Sequence, residues 1–199
     1  MYDFEFVKPA TLADAVAALG RDGAQALSGG QTLLPTMKQR LAQPAVLVSL
    51  TAIAEMKGVS GRAGASVTIG AATTHATVAR EAAAFYPGLA RLAGGIGDPA
   101  VRNRGTIGGS LANNDPAACY PAAVLASGAT VTTNKRTIAA DDYFKGMFTT
   151  ALDEGEIITS VAFPVPQMAA YIKFNQPSKP LATNTPVRAK RLAGWLNLT

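Results

Sequence analysis

The sequence predicts an α+β fold with two lobes, a small βαβαβ lobe followed by a larger α+β lobe. In the first 50 residues, short apolar runs typical of strands alternate with apolar residues at helical spacing. From residue 53, pairs of short strands separated by brief turns replace that alternation and favour antiparallel pairing. The composition of the 199 residues, 48% hydrophobic and 16% charged, is that of a globular protein.

The small lobe is predicted to span residues 1–52. Its first helix begins after Thr11, a residue type that caps helix N-termini, and ends at Gly20. A second helix is predicted from an apolar stripe at helical spacing, formed by Leu33, Leu34, Met37 and Leu41. The strands that alternate with these helices are expected at residues 4–7, 24–27 and 46–50.

The larger lobe is predicted to span residues 53–177. Helices are expected after Thr73 or Thr74, from Pro87, and over the apolar residues 117–127. A short helix or turn is expected at 141–146, and residues 94–116 are predicted to be a loop because glycine, proline and asparagine are frequent there. Strands are expected at residues 56–59, 66–69, 129–133, 137–139 and 157–163.

The last residues, 178–199, form a basic tail that differs from the rest of the chain. The first 172 residues carry 13 basic and 13 acidic side chains, so the net charge of +5 comes from Lys173, Lys179, Arg188, Lys190 and Arg191. A basic tail on a neutral body is weak support for nucleic-acid binding, and we expect none. The tail is not expected to form a packed domain; a short helix carrying Leu192, Trp195 and Leu196 is the one exception allowed.

Several classes of site are excluded or disfavoured by the residues present. A single cysteine, Cys119, excludes an internal disulfide, and with a single histidine, His75, it leaves no expected metal site or catalytic residue. A capping or packing role is favoured for His75, and a buried thiol for Cys119. The N-terminus does not resemble a signal peptide and no uncharged run suits a membrane span, so a soluble, cytoplasmic protein is expected.

Two glycine-rich turns are the strongest candidates for a binding site. The first runs from Leu27 to Leu34 between a strand and a helix, and such turns expose backbone N–H groups to anions. The second runs from Arg104 to Pro116. From spacing alone, a tight connection without a ligand is favoured for the first turn, and function and scaffold are equally favoured for the second. Neither turn matches the dinucleotide or P-loop signatures.

Together the two turns resemble a known family. Residues 29–35, read as Gly-Gly-Gln-Thr-Leu-Leu-Pro, and residues 103–112, read as Asn-Arg-Gly-Thr-Ile-Gly-Gly-Ser-Leu-Ala, are similar to the two flavin-binding turns in the FAD subunit of molybdenum hydroxylases. That family includes the xanthine dehydrogenase and carbon monoxide dehydrogenase flavoproteins. The order and separation of the turns also fit, and the resemblance extends from residue 1 to about residue 177, where the family's C-terminal domain would begin.

The resemblance implies a two-lobe PCMH-type FAD-binding fold, not a Rossmann fold, with FAD between the lobes. It implies an oxidoreductase subunit that passes electrons from 2Fe–2S clusters through FAD to an acceptor, with a molybdopterin-binding large subunit and a 2Fe–2S small subunit as partners. Cys119 stands where the family pattern has an aspartate. The alternative is a flavin-free scaffold or inactive remnant that only docks partner subunits. The cofactor-binding residues carried over are Leu27, Ser28, Gly29, Gly30, Gln31, Thr32, Leu33, Leu34, Thr106, Ile107, Gly108, Gly109, Ser110 and Cys119.

The pairing of the turns also predicts their arrangement. Because both expose backbone amides and the body offers no other anion site, we expect them to line one cleft. The N–H groups of residues 29–32 and 108–110 are expected to point into that cleft.

Overall fold

The computed structural model describes residues 1–173 and the backbone of Trp195–Leu196. Its N-terminal part follows the predicted βαβαβ order: β1 (Glu5–Val7), α1 (Leu12–Leu19), β2 (Ala24–Leu27), α2 (Leu33–Lys38) and β3 (Val46–Ser49). The three strands form a parallel sheet in the order β1-β3-β2. The central strand β3 is buried along its whole length, as expected for a strand with neighbours on both sides.

Helix α1 forms where the sequence predicted it. The Thr11 side chain accepts a hydrogen bond from the Asp14 amide, which satisfies one free donor of the first turn. The helix packs Ala15 into the core and ends at Gly20. This helix and α2 connect the parallel strands, and both β2 and β3 end near the turn that precedes α2.

The remaining strands are β4 (Val59–Arg62), β5 (Ser66–Gly70), β6 (Thr130–Thr133), β7 (Thr137–Ala139), β8 (Phe144–Gly146), β9 (Thr149–Thr150), β10 (Ile158–Pro164), β11 (Ala170–Tyr171) and β12 (Trp195–Leu196). Five of them form a second, antiparallel sheet in the order β4-β5-β10-β6-β7. Two ribbons are separate from this sheet, one of β8 with β9 and one of β11 with β12.

Most of the helices that accompany this sheet share one apolar core with it and with β3. They are α3 (His75–Glu81), α4 (Pro87–Gly94), α5 (Pro99–Arg102), α6 (Ile107–Asn113), α7 (Tyr120–Ala126) and α8 (Ala140–Tyr143). Helix α6 lies against β5 and β10, and α4 contacts α3 and α7. The second glycine turn, which leads into α6, is thereby fixed to the large sheet.

The prediction of a loop over residues 94–116 is wrong, because two short helices interrupt it. Asp98 caps α5 by accepting from the Val101 amide, and Pro99 occupies the first turn. Thr106 caps α6 by accepting from the Gly109 amide. The loop prediction rested on the frequency of glycine, proline and asparagine and took no account of these two caps.

Three smaller expectations also need correction. Residues 54–56 form a 3₁₀ turn, and the strand expected at 56–59 begins only at Val59. Helix α2 ends at Lys38, so Leu41 is not part of its apolar stripe and is 75% exposed. At Trp195–Leu196 the chain forms a strand and not the allowed helix; the other residues predicted as tail lie outside the described residues.

No helix in the described part of the chain has the length and apolar character that a bilayer span needs.

Glu156 ties the β6–β7 turn to the segment that leads into β10. Its buried carboxylate accepts hydrogen bonds from the Arg136 guanidinium, the Thr133 hydroxyl and the Asp153 amide at 2.6–3.1 Å. Arg136 is the main reason that the pKa of this carboxyl falls from 4.5 to about 2, with the Asp153 and Thr133 bonds acting in the same direction against burial. The carboxylate is therefore a structural anion of the large sheet.

We expect Glu156 to make stability depend on acid pH. Because the folded pKa lies below the unfolded value, its contribution is full above about pH 4.5 and is lost as pH falls toward about 2. Glu156→Gln should lower the free energy of unfolding by about 1–3 kcal/mol near neutral pH and flatten this acid dependence. Urea unfolding at several pH values measures both effects. The exposed neighbour Glu154 supplies the control, and an equal effect of Glu154→Gln would contradict the assignment.

Candidate functional site

The two glycine turns meet through their backbones. A Cβ atom on Gly29 would collide with the Arg104 carbonyl oxygen and would lie 2.6 Å from the Gly105 Cα, so only glycine fits at this contact. Gly30 follows in the left-handed region with φ of +68°, which turns the chain into α2. The first turn therefore needs both glycines, one for close approach and one for its backbone angle.

Hydroxyl groups join the turns beside this contact. The Ser28 Oγ and Thr106 Oγ1 atoms lie 2.8 Å apart and share a hydrogen bond. Thr106 Oγ1 also accepts from the Gly109 amide at the start of α6. Just before Thr106, the Gly105 carbonyl accepts from the His75 amide of α3, so the second turn is held from both sides.

A cleft of about 540 Å³ opens where the turns meet. This volume is within the range of about 300–1,000 Å³ that is usual for small-molecule and cofactor sites. All of the predicted cofactor-binding residues line the cleft except Leu34, Ile107 and Cys119. The lining residues from that set are Leu27, Ser28, Gly29, Gly30, Gln31, Thr32 and Leu33 of the first turn and Thr106, Gly108, Gly109 and Ser110 of the second.

The first turn contains amide groups that have no hydrogen-bond acceptor among the described residues. Leu34 and Thr36 donate their amides back to Gly30 and Thr32, but the amides of residues 29–33 donate to no acceptor in the described part of the chain. A run of neighbouring free N–H groups is a typical binding place for phosphate. These amides belong to residues that line the cleft.

The second turn does not offer the free amides that were expected of it. Its residues 108–110 line the cleft, but their N–H groups are bonded within the protein. The Gly108 amide donates to the Ala71 carbonyl, the Gly109 amide to Thr106 Oγ1 and the Ser110 amide to the Thr106 carbonyl. The expectation that these three amides point freely into the cleft is wrong, because they start α6 and fix it to β5.

His75 is a lining residue that the sequence prediction of the site missed. Its imidazole is 5% exposed and packs beneath the second turn, where a Cβ on Gly105 would lie 2.6 Å from Nε2. Burial lowers the pKa of His75 to about 4, so the ring is neutral at physiological pH. The sequence places His75 directly after Thr74, the N-cap of α3. This position supports the capping or packing role predicted for His75.

Cys119 is buried, as predicted, but not in the cleft. Its Sγ atom, at the start of α7, lies 3.4 Å from the Lys173 Nζ atom. The neighbouring residues Asp115 and Ala118 do line the cleft. Among the described residues, no group of three or more histidine, cysteine, aspartate or glutamate side chains could hold a metal ion.

Comparison with known proteins agrees with this geometry. Residues 2–166 match the family described as the FAD binding domain in molybdopterin dehydrogenase. The chain belongs to this family of FAD-binding domains.

Two curated relatives are similar over the same region. The carbon monoxide dehydrogenase medium chain of Afipia carboxidovorans is 41% identical over 171 residues, which are 82% of this chain and 59% of that protein. The nicotine 6-hydroxylase medium subunit of Paenarthrobacter nicotinovorans is 39% identical over 166 residues, 80% of this chain and 58% of that one. The chain thus spans less than two thirds of the length of these relatives.

Solved structures share the fold. Quinoline 2-oxidoreductase from Pseudomonas putida 86 superposes with a TM-score of 0.84 at 33% identity, over 88% of this chain and 64% of that one. Carbon monoxide dehydrogenase from Hydrogenophaga pseudoflava gives a TM-score of 0.83 at 37% identity, over 88% and 65% of the two chains. The predicted PCMH-type α+β fold is confirmed.

We expect Gly29→Ala to damage the contact between the turns. The new methyl group would meet backbone atoms of Arg104 and Gly105, which cannot move aside as a flexible side chain can. We expect a loss of about 1–3 kcal/mol in the free energy of unfolding, typical of overpacking. Urea unfolding measures this loss.

The matched control is Gly64→Ala in the β4–β5 turn. Gly64 has φ of +71°, and a Cβ atom added there would meet no atom within 4 Å. Only the backbone angle is strained in this control, at a cost of about 1 kcal/mol. A Gly29→Ala variant no less stable than this control would show that the close contact does not constrain the fold.

Proposed function

We propose that this chain binds FAD in the cleft and is the flavin-bearing part of a molybdenum hydroxylase-type oxidoreductase. In this role it takes electrons from 2Fe–2S clusters and passes them through FAD to an acceptor. The observation that carries the proposal is the row of free amides at residues 29–33, in a cleft shared by two glycine turns. Membership of a family of FAD-binding domains supports the same cofactor.

The residues of the cleft fit a dinucleotide. The free amides of residues 29–33 suit the negative charge of the pyrophosphate. Two acidic residues line the cleft. Glu156 is neutralised by Arg136 and so does not repel an anion, and the Asp115 carboxylate accepts from the Ala117 amide. When bound, the flavin supplies the redox chemistry, since side chains alone do not carry electrons between centres.

The role of the chain itself is binding and positioning. Ser28 and Thr106 hold the two turns at a fixed separation, and His75 supports the second turn with a neutral ring. The apolar residues Leu50, Ile157 and Ile158 also line the cleft, and they suit the flat ring system of a flavin better than a charged ligand.

We propose a division at residue 52/53 into two FAD-binding lobes, 1–52 and 53–177, with the cleft between them.

The proposed reaction needs partner subunits. A 2Fe–2S cluster is held by four cysteine thiolates, and this chain has one cysteine. We therefore propose a molybdopterin-binding large subunit, at which substrate is oxidised, and a 2Fe–2S small subunit between it and this chain. The names of the relatives as medium chains or subunits support an assembly of this kind.

The proposal is tested by flavin content. The protein, purified after co-expression with its neighbouring genes, should absorb in the flavin bands and contain one FAD per chain. A colourless protein that takes up no FAD on reconstitution, yet still co-purifies with partner subunits, would support the flavin-free scaffold instead.

Glycine variants test whether the cleft is the site. Gly30→Val would strain the backbone at φ of +68° and place Cβ 2.8 Å from Leu34 Cδ1. Gly109→Val would place its Cβ 3.1 Å from Thr106 Oγ1, beside the hydroxyl contact of the turns. Each should weaken FAD binding by about tenfold or more, measured by flavin fluorescence titration.

Gly64→Val is the control for the Gly30 variant, because it has the same backbone strain away from the cleft. It should keep the FAD affinity of the unaltered chain. Equal FAD affinities for the Gly30, Gly109 and Gly64 variants would contradict the assignment of the cleft.

A further inference from the structure

Two buried polar atoms in neighbouring rings have no hydrogen-bond partner among the described residues. They are the Nδ1 atom of His75 and the hydroxyl oxygen of Tyr120. His75 is 5% exposed and Tyr120 is wholly buried. A buried polar atom without a partner costs about as much free energy as a lost hydrogen bond, so a partner is expected for each of them.

The two residues are neighbours in space although they are distant in the chain. Their ring centroids lie 5.3 Å apart, with an angle of 47° between the ring planes. His75 begins α3 and Tyr120 begins α7. Because the two polar atoms lie in adjacent rings but form no direct hydrogen bond, a water molecule between them would give both a partner.

The protonation of each ring limits which atom can donate. Burial, and then the neighbouring Cys119 side chain, raises the pKa of the Tyr120 hydroxyl above its ordinary value, so the hydroxyl keeps its hydrogen. Burial lowers the pKa of His75 to about 4, so the neutral imidazole carries one hydrogen, on either Nδ1 or Nε2.

The balance of donors and acceptors selects one tautomer of His75. A water that accepts the Tyr120 hydrogen has two hydrogens of its own, and an unprotonated Nδ1 accepts one of them. If Nδ1 carried the hydrogen, the water would accept from both rings and would donate to neither. The bridge therefore favours a hydrogen on Nε2, because the bond made by one ring nitrogen decides which of the two is protonated.

The Nε2 edge of the ring lies against the second glycine turn. A Cβ atom on Gly105 would lie 2.6 Å from Nε2, and both Gly105 and His75 line the cleft. A hydrogen on Nε2 makes this edge a neutral donor, whereas the other tautomer would place a lone pair there. The tautomer of His75 therefore decides the polarity of the ring edge that contacts Gly105.

We propose that the Tyr120 hydroxyl and His75 Nδ1 hold one internal water molecule, which fixes the His75 tautomer with its hydrogen on Nε2. Tyr120 does not line the cleft, so it is a positioning residue that acts through His75. The proposal concerns residues of the chain itself and is independent of whether the cleft binds FAD.

Nitrogen NMR of the full chain, without an added histidine tag, tests the tautomer directly. His75 is the only histidine, so both imidazole nitrogen signals belong to it, and their couplings to the ring protons distinguish Nδ1 from Nε2. At neutral pH the ring is uncharged, since the pKa is about 4. We expect the chemical shift of a protonated nitrogen at Nε2 and of an unprotonated one at Nδ1. A protonated Nδ1 overturns the proposal.

High-resolution diffraction from the same protein tests the water. It should show an oxygen atom about 2.7–3.2 Å from both His75 Nδ1 and the Tyr120 hydroxyl oxygen. A direct hydrogen bond between the two side chains, or a contact without water, overturns the proposal.

The substitution Tyr120→Phe removes the hydroxyl and keeps the ring. We expect NMR signals from both tautomers of His75 and a melting temperature lower by about 2–8 °C, because the bridge loses one partner. Tyr86→Phe is the matched control, since the Tyr86 hydroxyl belongs to a buried residue and lies 3.3 Å from the Ser127 hydroxyl. Whatever its melting temperature, this control should keep the His75 tautomer of the unaltered chain.

An unchanged tautomer in Tyr120→Phe would overturn the role of Tyr120. A melting temperature equal to or above that of the unaltered chain would also overturn the proposal, because the hydroxyl would then have had no bond to lose. If Tyr120→Phe does not fold, the NMR spectrum and the diffraction of the unaltered chain still decide.

Discussion

The backbone contact between Gly29 and the Arg104–Gly105 segment is the constraint on which the site depends. It brings two segments that are distant in the chain into direct backbone contact, with no room for a side chain at Gly29. The Ser28–Thr106 hydrogen bond lies beside it and fixes the rotation of one turn against the other. The parallel sheet positions the first turn, the antiparallel sheet positions the second through α6, and the cleft exists only because both turns reach this contact.

The two turns look alike in sequence but act differently. The first leaves a run of amides without acceptors among the described residues, whereas the second uses its amides to begin α6 and to bond Ala71, just after β5. Under the proposed function the first turn binds the anion, and the second is a rigid support. Neutral His75 beneath Gly105 suits that supporting role, because a charged imidazole in the same buried place would lack a counter-charge.

The sequence predicted the parts of the fold whose signal is local. The βαβαβ order, the cap at Thr11 and the positions of both glycine turns follow from spacing and residue type. The helices α5 and α6 were missed because the prediction for residues 94–116 rested on glycine, proline and asparagine frequency and took no account of caps at Asp98 and Thr106. Helix α6 is stable through its packing on the large sheet and not through helix propensity. Of the bonded amides in the second turn, that of Gly108 could not be predicted, since its acceptor Ala71 is distant in the chain, whereas those of Gly109 and Ser110 donate to the nearby cap Thr106. The same holds for the position of Cys119 outside the cleft lining.

Amide hydrogen exchange with and without FAD tests the central claim most directly, because it reports each turn separately. The amides of residues 29–33 lack acceptors in the described chain, so they should exchange rapidly without FAD and become strongly protected when it binds. Those of residues 108–110 are already bonded within the protein and should change little. Strong new protection at residues 108–110 with none at residues 29–33 would contradict the account, since the second turn would then be the one that binds the anion.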